Sequence, residues 1–247
     1  MATFAVIFPA AGRSSRFRDK EKKPFVNLDG RAVWLRSVEP FVSRSDVVQC
    51  QIVISPEDEE VLRRRYGANL AFMNIQVVKG GAERFDSVAN ALAEVRPEVE
   101  FVAVHDAVRP CLTEELINAV FAKAQATGAA IPALSVTDTV KQVDAQKQIT
   151  ATVPRQGLWL AQTPQAFRRD WLADAYARRK ELGTGITDDA QLVEAAGHTV
   201  HVVEGEVTNL KITTKADLIM AGAALKAMPK PKVSGPIHPF ADEEMWK

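Results

Sequence analysis

Short apolar runs recur along this chain with helix-like segments between them, and that alternation restricts the fold more than any other feature. FAVIF at 4–8 is too short for a membrane span and suits a strand covered on both faces. VVQCQIVI at 47–54, IQVVKGG at 75–81, FVAVH at 101–105 and AAIPAL from 129 repeat the theme. Between them, Arg31 to Phe41 carries Val33, Trp34, Val38 and Phe41 at helical spacing, with Pro40 expected to end or kink it. EDEEVLRRRYG, after Ser55-Pro56, places acids first, bases last and a closing Gly67. ERFDSVANALAEV and Thr113 to Ala126 are the next helices; others are expected at about 168–181, about 188–196 and Lys215 to Lys226, with a strand at 199–203. This regularity implies an α/β fold, a doubly wound, mostly parallel sheet with right-handed crossovers.

The rhythm breaks between Ser135 and Phe167. SVTDTVKQVDAQKQITATVPRQ alternates β-branched and polar residues around Asp144-Ala145-Gln146, which is a hairpin pattern without a strong apolar face. The expectation is a protruding β-hairpin arm at 136–155 that needs a partner surface. Residues 1–228 read as one domain that includes this arm. The remainder, 229–247, is a Pro- and charge-rich tail, expected to be loosely packed or disordered, with Phe240 and Trp246 available to dock on a neighbour.

Composition excludes several functions. Basic and acidic residues balance at 31 each, which argues against a general nucleic-acid binder and leaves small anions held by local charge. Cys50 and Cys111 match no metal-ligand spacing, so a reduced, cytoplasmic protein is expected. Neither an export signal nor a membrane-length apolar run is found. The four histidines, His105, His198, His201 and His238, form no pair at metal or catalytic spacing.

Chemistry concentrates where strands of such a sheet would end, the edge at which open α/β sheets bind ligands. After FAVIF comes PAAGRSSRF, in which Ala10, Ala11 and Gly12 leave the main chain accessible, followed by Arg13, Arg16, Lys20, Lys22 and Lys23. Small residues and then cations suggest a nucleotide triphosphate. Neither a P-loop nor G-x-G-x-x-G spacing is present, so the phosphates must be held another way. GGAERFDS at 80–87 places two glycines before a helix, either to offer N–H groups and the Ser87 hydroxyl to a base or simply to start and cap that helix. HDAVRP at 105–110 puts Asp106 at a strand end, where one carboxylate beside phosphates suits Mg2+, and Arg109 near an anion. Later come Arg155, Thr163 within TPQAF, TDDA at 187–190, and Lys211 near an expected strand end in NLKITT.

Taken in order, PAAGRSSRF, KKPF, GGAERFDSV, HDAVRP, TDTVK, RQGLWLAQTPQAF, TDDA and NLKIT resemble the 2-C-methyl-D-erythritol 4-phosphate cytidylyltransferases, over roughly residues 3–226. The resemblance implies a Rossmann-like nucleotidyltransferase of isoprenoid precursor biosynthesis that joins CTP to a sugar-alcohol phosphate, 2-C-methyl-D-erythritol 4-phosphate, and releases pyrophosphate, with Mg2+ as cofactor. It implies catalytic roles for Arg16, Lys23 and Lys211, and nucleotide contacts from Ala10, Ala11, Gly12, Gly81 and Ser87. Asp106 would sit beside metal and sugar, and Ala107, Arg109, Thr139, Arg155 and Thr163 would surround the acceptor. Arg13-Ser14-Ser15 stands where many members carry a further glycine, and Pro24 where glutamine is common, departures that bear on loop shape more than on charge. Transfer to ribitol 5-phosphate, and a non-catalytic nucleotide-binding module, are the rival readings. A partnerless arm bearing Thr139 and ending at Arg155 further implies a homodimer with exchanged arms.

Overall fold

The computed structural model describes residues 2–12, 17, 22–179, 181 and 186–228; the expectations for Arg13, Arg16, Lys20 and the tail fall outside the described residues. In chain order the elements are β1 (Phe4–Pro9), β2 (Asn27–Leu28), β3 (Arg31–Ala32), α1 (Val33–Val42), β4 (Val47–Ile54), α2 (Glu59–Phe72), β5 (Ile75–Lys79), α3 (Arg84–Ala93), β6 (Phe101–Val104), α4 (Glu114–Thr127), β7 (Ala129–Ser135), β8 (Val140–Val143), β9 (Ile149–Val153), β10 (Trp159–Ala161), β11 (Gln165–Arg168), α5 (Arg169–Ala177), α6 (Asp189–Ala195), β12 (His201–Glu204) and α7 (Lys215–Ala227). Among the described residues no helix is long and apolar enough to cross a membrane.

The main sheet runs β5-β4-β1-β6-β11-β7-β10, with β12 also paired to β7. Alternation along its strands divides the core between two faces. Phe4, Val6 and Phe8 of β1, with Ile52, Ile54, Phe101 and Ala103, pack on Trp34, Val38 and Phe41 of α1, Leu62 of α2 and Ile117 and Phe121 of α4. Ala5 and Ile7, with Val53, Val102 and Val104, pack on Val88 of α3, Leu172 of α5 and Leu192 and Val193 of α6. Helices on both faces of one sheet make the expected doubly wound fold. A third cluster joins Val33, Val108, Cys111 and Ile212 to Ala221 of α7.

The sheet is mostly parallel as expected, with two antiparallel strands that the sequence did not announce, and three details differ from expectation. The sheet is mixed, because β11 runs antiparallel to both β6 and β7, between them, and β10 runs antiparallel to β7. The chain that leaves β7 as the arm returns directly alongside it, and a direct return makes an antiparallel neighbour. Pro40 does not end α1, which continues to Val42: the proline removes one N–H and crowds the Arg36 carbonyl, but Phe41 beyond it is buried against the sheet and holds the last turn. Gly67 does not close α2; the helix kinks at Tyr66 (φ −129°, ψ 15°) and runs on to Phe72, burying Leu70. Lys211 lies outside any strand, in the irregular segment between β12 and α7.

The arm forms as expected. β8 and β9 pair antiparallel as a separate two-stranded sheet, and Asp144 Oδ1 accepts the backbone N–H groups of Gln146 and Gln148 to close the turn. From residue 134 to residue 161 no residue is buried.

Candidate active site

β1, β4, β5 and β6 run parallel and end together, with Ile7 opposite Val104, Pro9 opposite Val53 and Ile54 opposite Lys79. Three hydrogen bonds continue these ladders into the loops: Ala10 N–H to Val53 O (2.8 Å), Gly80 N–H to Ile54 O (2.7 Å) and His105 N–H to Ile7 O (2.9 Å). The loops at 10–12, 80–87 and 105–110 therefore share one edge. Gly80 is packed so closely that a Cβ there would lie 2.7 Å from Ala11 Cβ, and a Cβ on Gly81 would lie 2.3 Å from Asp86 Cβ. Both glycines are required by close approach.

Ser87 is buried and holds its loop together: its Oγ accepts the Gly81 N–H (3.1 Å) and donates to Glu83 O (3.1 Å). Gly12 is exposed beside half-buried Ala11, which leaves the backbone of this turn accessible as expected.

Asp106 is 6% exposed, and its Oδ2 receives Lys211 Nζ at 2.9 Å and Arg109 Nε at 3.3 Å. Burial opposes ionisation, but the charges of Lys211, Arg84 and Arg109 outweigh it and hold this carboxyl well below the usual carboxylate range. Arg109 is itself buried, which pulls its pKa down against the attraction of Asp106, and its Nη1 donates to Asn209 O at 2.6 Å. That contact and Ile212 N–H to Val108 O (2.9 Å) fasten the Lys211 segment to HDAVRP. Ala107 is buried between them, its carbonyl accepting from Ser37 Oγ.

Thr163, at a cis peptide bond with Pro164, joins the same cluster. Its Oγ1 lies 3.1 Å from Asp106 N and 3.0 Å from His105 Nδ1, while His105 Nε2 lies 3.2 Å from Arg109 O. His105 is fully buried, and burial lowers its pKa to about 4, so the ring is neutral. Asn209 Nδ2 donates to Thr163 O at 2.8 Å, and Gln162 Nε2 to Glu206 O at 2.8 Å.

Some expected residues stand elsewhere. Lys22 is bound by Glu57 (2.6 Å) and Asp58 (2.6 Å), so its charge is already matched within the protein. Lys23, half-buried, opens a 3-10 turn through Phe25. Thr139 and Arg155 are exposed at the root of the arm, where Arg155 Nη1 donates to Thr137 O; neither bonds to the Asp106 cluster within this chain.

Sequence reasoning missed Arg84 and the part played by TDDA. Arg84 Nη2 pairs with Asp189 Oδ2 at 2.7 Å, and the fully buried Asp189 also accepts from Tyr176 Oη at 2.5 Å. Burial lowers the pKa of Arg84, yet Asp189 and Asp106 raise it further, so a permanent cation at the 80–87 loop is paired with Asp189 and lies in the field of Asp106. The only signal available was an arginine at a helix start, where the dipole favours anions.

The family model described as IspD, 2-C-methyl-D-erythritol 4-phosphate cytidylyltransferase, matches residues 4–227. A 2-C-methyl-D-erythritol 4-phosphate cytidylyltransferase of Rhodopirellula baltica is 40% identical, covering 91% of this chain and 95% of its own length. A bifunctional IspD/IspF enzyme of Rhodopseudomonas palustris is 42% identical over 90% of this chain, which spans 56% of that longer protein. Among solved structures, the 4-diphosphocytidyl-2C-methyl-D-erythritol synthase of Anaerococcus prevotii is similar at a TM-score of 0.78 and 30% identity, over 91% of this chain and 96% of its own.

Proposed function

This chain belongs to the 2-C-methyl-D-erythritol 4-phosphate cytidylyltransferase family, and from that premise we propose how its site works. It transfers the cytidylyl group of CTP to 2-C-methyl-D-erythritol 4-phosphate and releases pyrophosphate, a step of isoprenoid biosynthesis. The observation that carries this reading is an ionised, buried Asp106, fixed by Lys211 and Arg109 on the sheet edge that it shares with the 10–12 and 80–87 loops.

An acceptor phosphate oxygen forms a new bond to the α-phosphorus while the bond to the bridging oxygen of pyrophosphate breaks. The attacking oxygen is already ionised near neutral pH, so no protein base is needed. The chain's task is to offset repulsion between two anions and to orient them. We assign that charge to Lys23, Lys211 and Arg16, nucleotide contacts to Ala10, Ala11, Gly12, Gly81 and Ser87, and acceptor contacts to Arg109, Thr139 and Arg155.

Among the described residues no three His, Cys, Asp or Glu side chains cluster as a metal cage. The ionised carboxylate of Asp106, whose Oδ2 is held by Lys211 and Arg109, nevertheless suits Mg2+, which takes one or two carboxylates together with substrate phosphates. Asp106 would hold it, and the ion would supply Lewis-acid stabilisation of the phosphates when bound.

We further propose a two-fold dimer that exchanges arms. The arm and its flank bury nothing, and they expose Val143, Ile149, Trp159 and Leu160, an apolar surface unusual for a free monomer. Cys50 and Cys111 are buried unpaired thiols, pushed up to about 12 and about 11, and support a reducing, cytoplasmic setting.

Pyrophosphate release tests the reaction directly. CTP with methylerythritol phosphate should turn over well, and ATP, or ribitol 5-phosphate as acceptor, poorly. Equal turnover with ribitol 5-phosphate overturns the acceptor assignment, and equal turnover with ATP overturns the cytosine pocket.

A further inference from the structure

The hydrogen bonds around Thr163 can be oriented from the groups that the His105 ring faces. Arg109 O is a carbonyl and can only accept, so the facing Nε2 of His105 carries a hydrogen. The ring is fully buried and meets Phe8 edge-on (centroids 6.1 Å apart) and Phe41 at 5.3 Å; the neighbouring Asp106 carboxylate attracts a second proton, but burial outweighs that attraction and the Arg109 charge opposes it, so the ring is neutral. Nδ1 is therefore a bare lone pair, and the Thr163 hydroxyl 3.0 Å away must donate to it. The same oxygen accepts the Asp106 N–H at 3.1 Å. A hydroxyl has one hydrogen, and here it is committed.

Building on the reaction proposed above, we propose that His105 is a positioning residue whose Nδ1 accepts the hydrogen bond of the Thr163 hydroxyl, so that Thr163 serves turnover by holding the Asp106 backbone and not by donating to the acceptor phosphate. Phosphate oxygens near neutral pH are predominantly acceptors, and Thr163, its proton engaged, has only lone pairs left to offer. The expected contact between Thr163 and the acceptor is replaced by a chain: His105 orients Thr163, Thr163 fixes the main chain of Asp106, and Asp106 sets Lys211 and Arg109.

The test uses the full chain in three measurements. Steady-state kinetics compare Thr163→Val, His105→Asn, His105→Gln and the double variant His105→Gln/Thr163→Val. Asn places an amide oxygen near the Nδ1 position and keeps the bond to Thr163, whereas Gln reaches Arg109 O and loses it. His105→Asn should turn over at least about tenfold faster than His105→Gln, Thr163→Val should lower kcat about tenfold with acceptor KM changed less than about threefold, and the double variant should be no slower than the slower single. A reversed Asn/Gln order, a rise in acceptor KM as the main defect of Thr163→Val, or multiplying defects would each overturn the proposal. Nitrogen-15 spectra of histidine-labelled protein give a readout independent of turnover and of whether the His105 variants fold: Nε2 should be protonated, Nδ1 bare, and the Nδ1 signal should move in Thr163→Val. A proton on Nδ1 refutes the proposal. If the unmodified chain released no pyrophosphate, the proposed reaction would fail, while the spectra would still decide the hydrogen bond.

Discussion

Acidification should destabilise this protein through His105 before it reaches the carboxylates. In the unfolded chain the ring titrates near 6.5; in the folded protein burial lowers that to about 4. Between these values the unfolded state binds a proton that the folded state refuses, so stability rises with pH. The stabilisation is complete above pH 6.5 and is lost as pH falls towards 4. At about 1.4 kcal/mol per unit over some 2.5 units, the loss is roughly 3 kcal/mol, a large fraction of a typical domain's stability. Two carboxyls oppose the trend: burial raises Glu39 and Glu194, so the folded state takes up protons there first and gains stability as pH falls. Asp106 works in the same direction as His105 but only below the ordinary carboxylate range, because its folded pKa is depressed. Urea unfolding from pH 4.5 to 8, run in parallel on the unmodified chain and on His105→Gln, isolates the effect because the amide does not titrate. The difference between the two stability curves should shrink by about 1 kcal/mol per pH unit between 6.5 and 4.5. Parallel curves would refute the buried, neutral assignment.

Lys211→Ala, which removes the cation nearest Asp106, should lower turnover at saturating substrates about a hundredfold, on the order of 3 kcal/mol; a loss below threefold would mean that Lys211 only supports the fold. Gly81→Ala should raise the KM for CTP at least about tenfold, because its Cβ would lie 2.3 Å from Asp86 Cβ and the base-side loop must move; unchanged nucleotide kinetics would remove that loop from the site. Asp189→Asn should destabilise by about 3 kcal/mol in urea unfolding, since it leaves the Arg84 charge without its closest partner. Lys23→Ala and Arg155→Ala, each inactive alone, should recover about a quarter of normal activity when refolded together if Arg155 acts across a dimer; verified mixed dimers without activity would exclude a shared site.

Elements were legible in the sequence where the local pattern allowed one outcome. β4 coincides with its apolar run because eight consecutive residues of VVQCQIVI suit a strand covered on both faces, and the arm follows from its turn and its lack of an apolar face. β11 was not legible, since QAFR alternates too briefly to announce a strand, and its place between β6 and β7 is set by how the chain returns from the arm. Pro40 and Gly67 misled because helix breakers act on local propensity, whereas Phe41 and Leu70 are held by burial against the sheet.

The site divides along the same line. Asp106 and Arg109 share a turn, so their pairing could be anticipated from HDAVRP. The other bonds of the candidate site join residues distant in sequence: His105 to Thr163 across 58 positions, Arg84 to Asp189 across 105. His105 shows why distance matters. Nothing in FVAVH says which ring nitrogen carries the proton, because that is decided by the Arg109 carbonyl on one side and the Thr163 hydroxyl on the other. A histidine at no catalytic spacing is thus excluded as a base by the sequence and given its work only by the fold. The reaction requires no base, so the imidazole next to Asp106 can remain neutral and buried, fixing the carboxylate that gathers the cations.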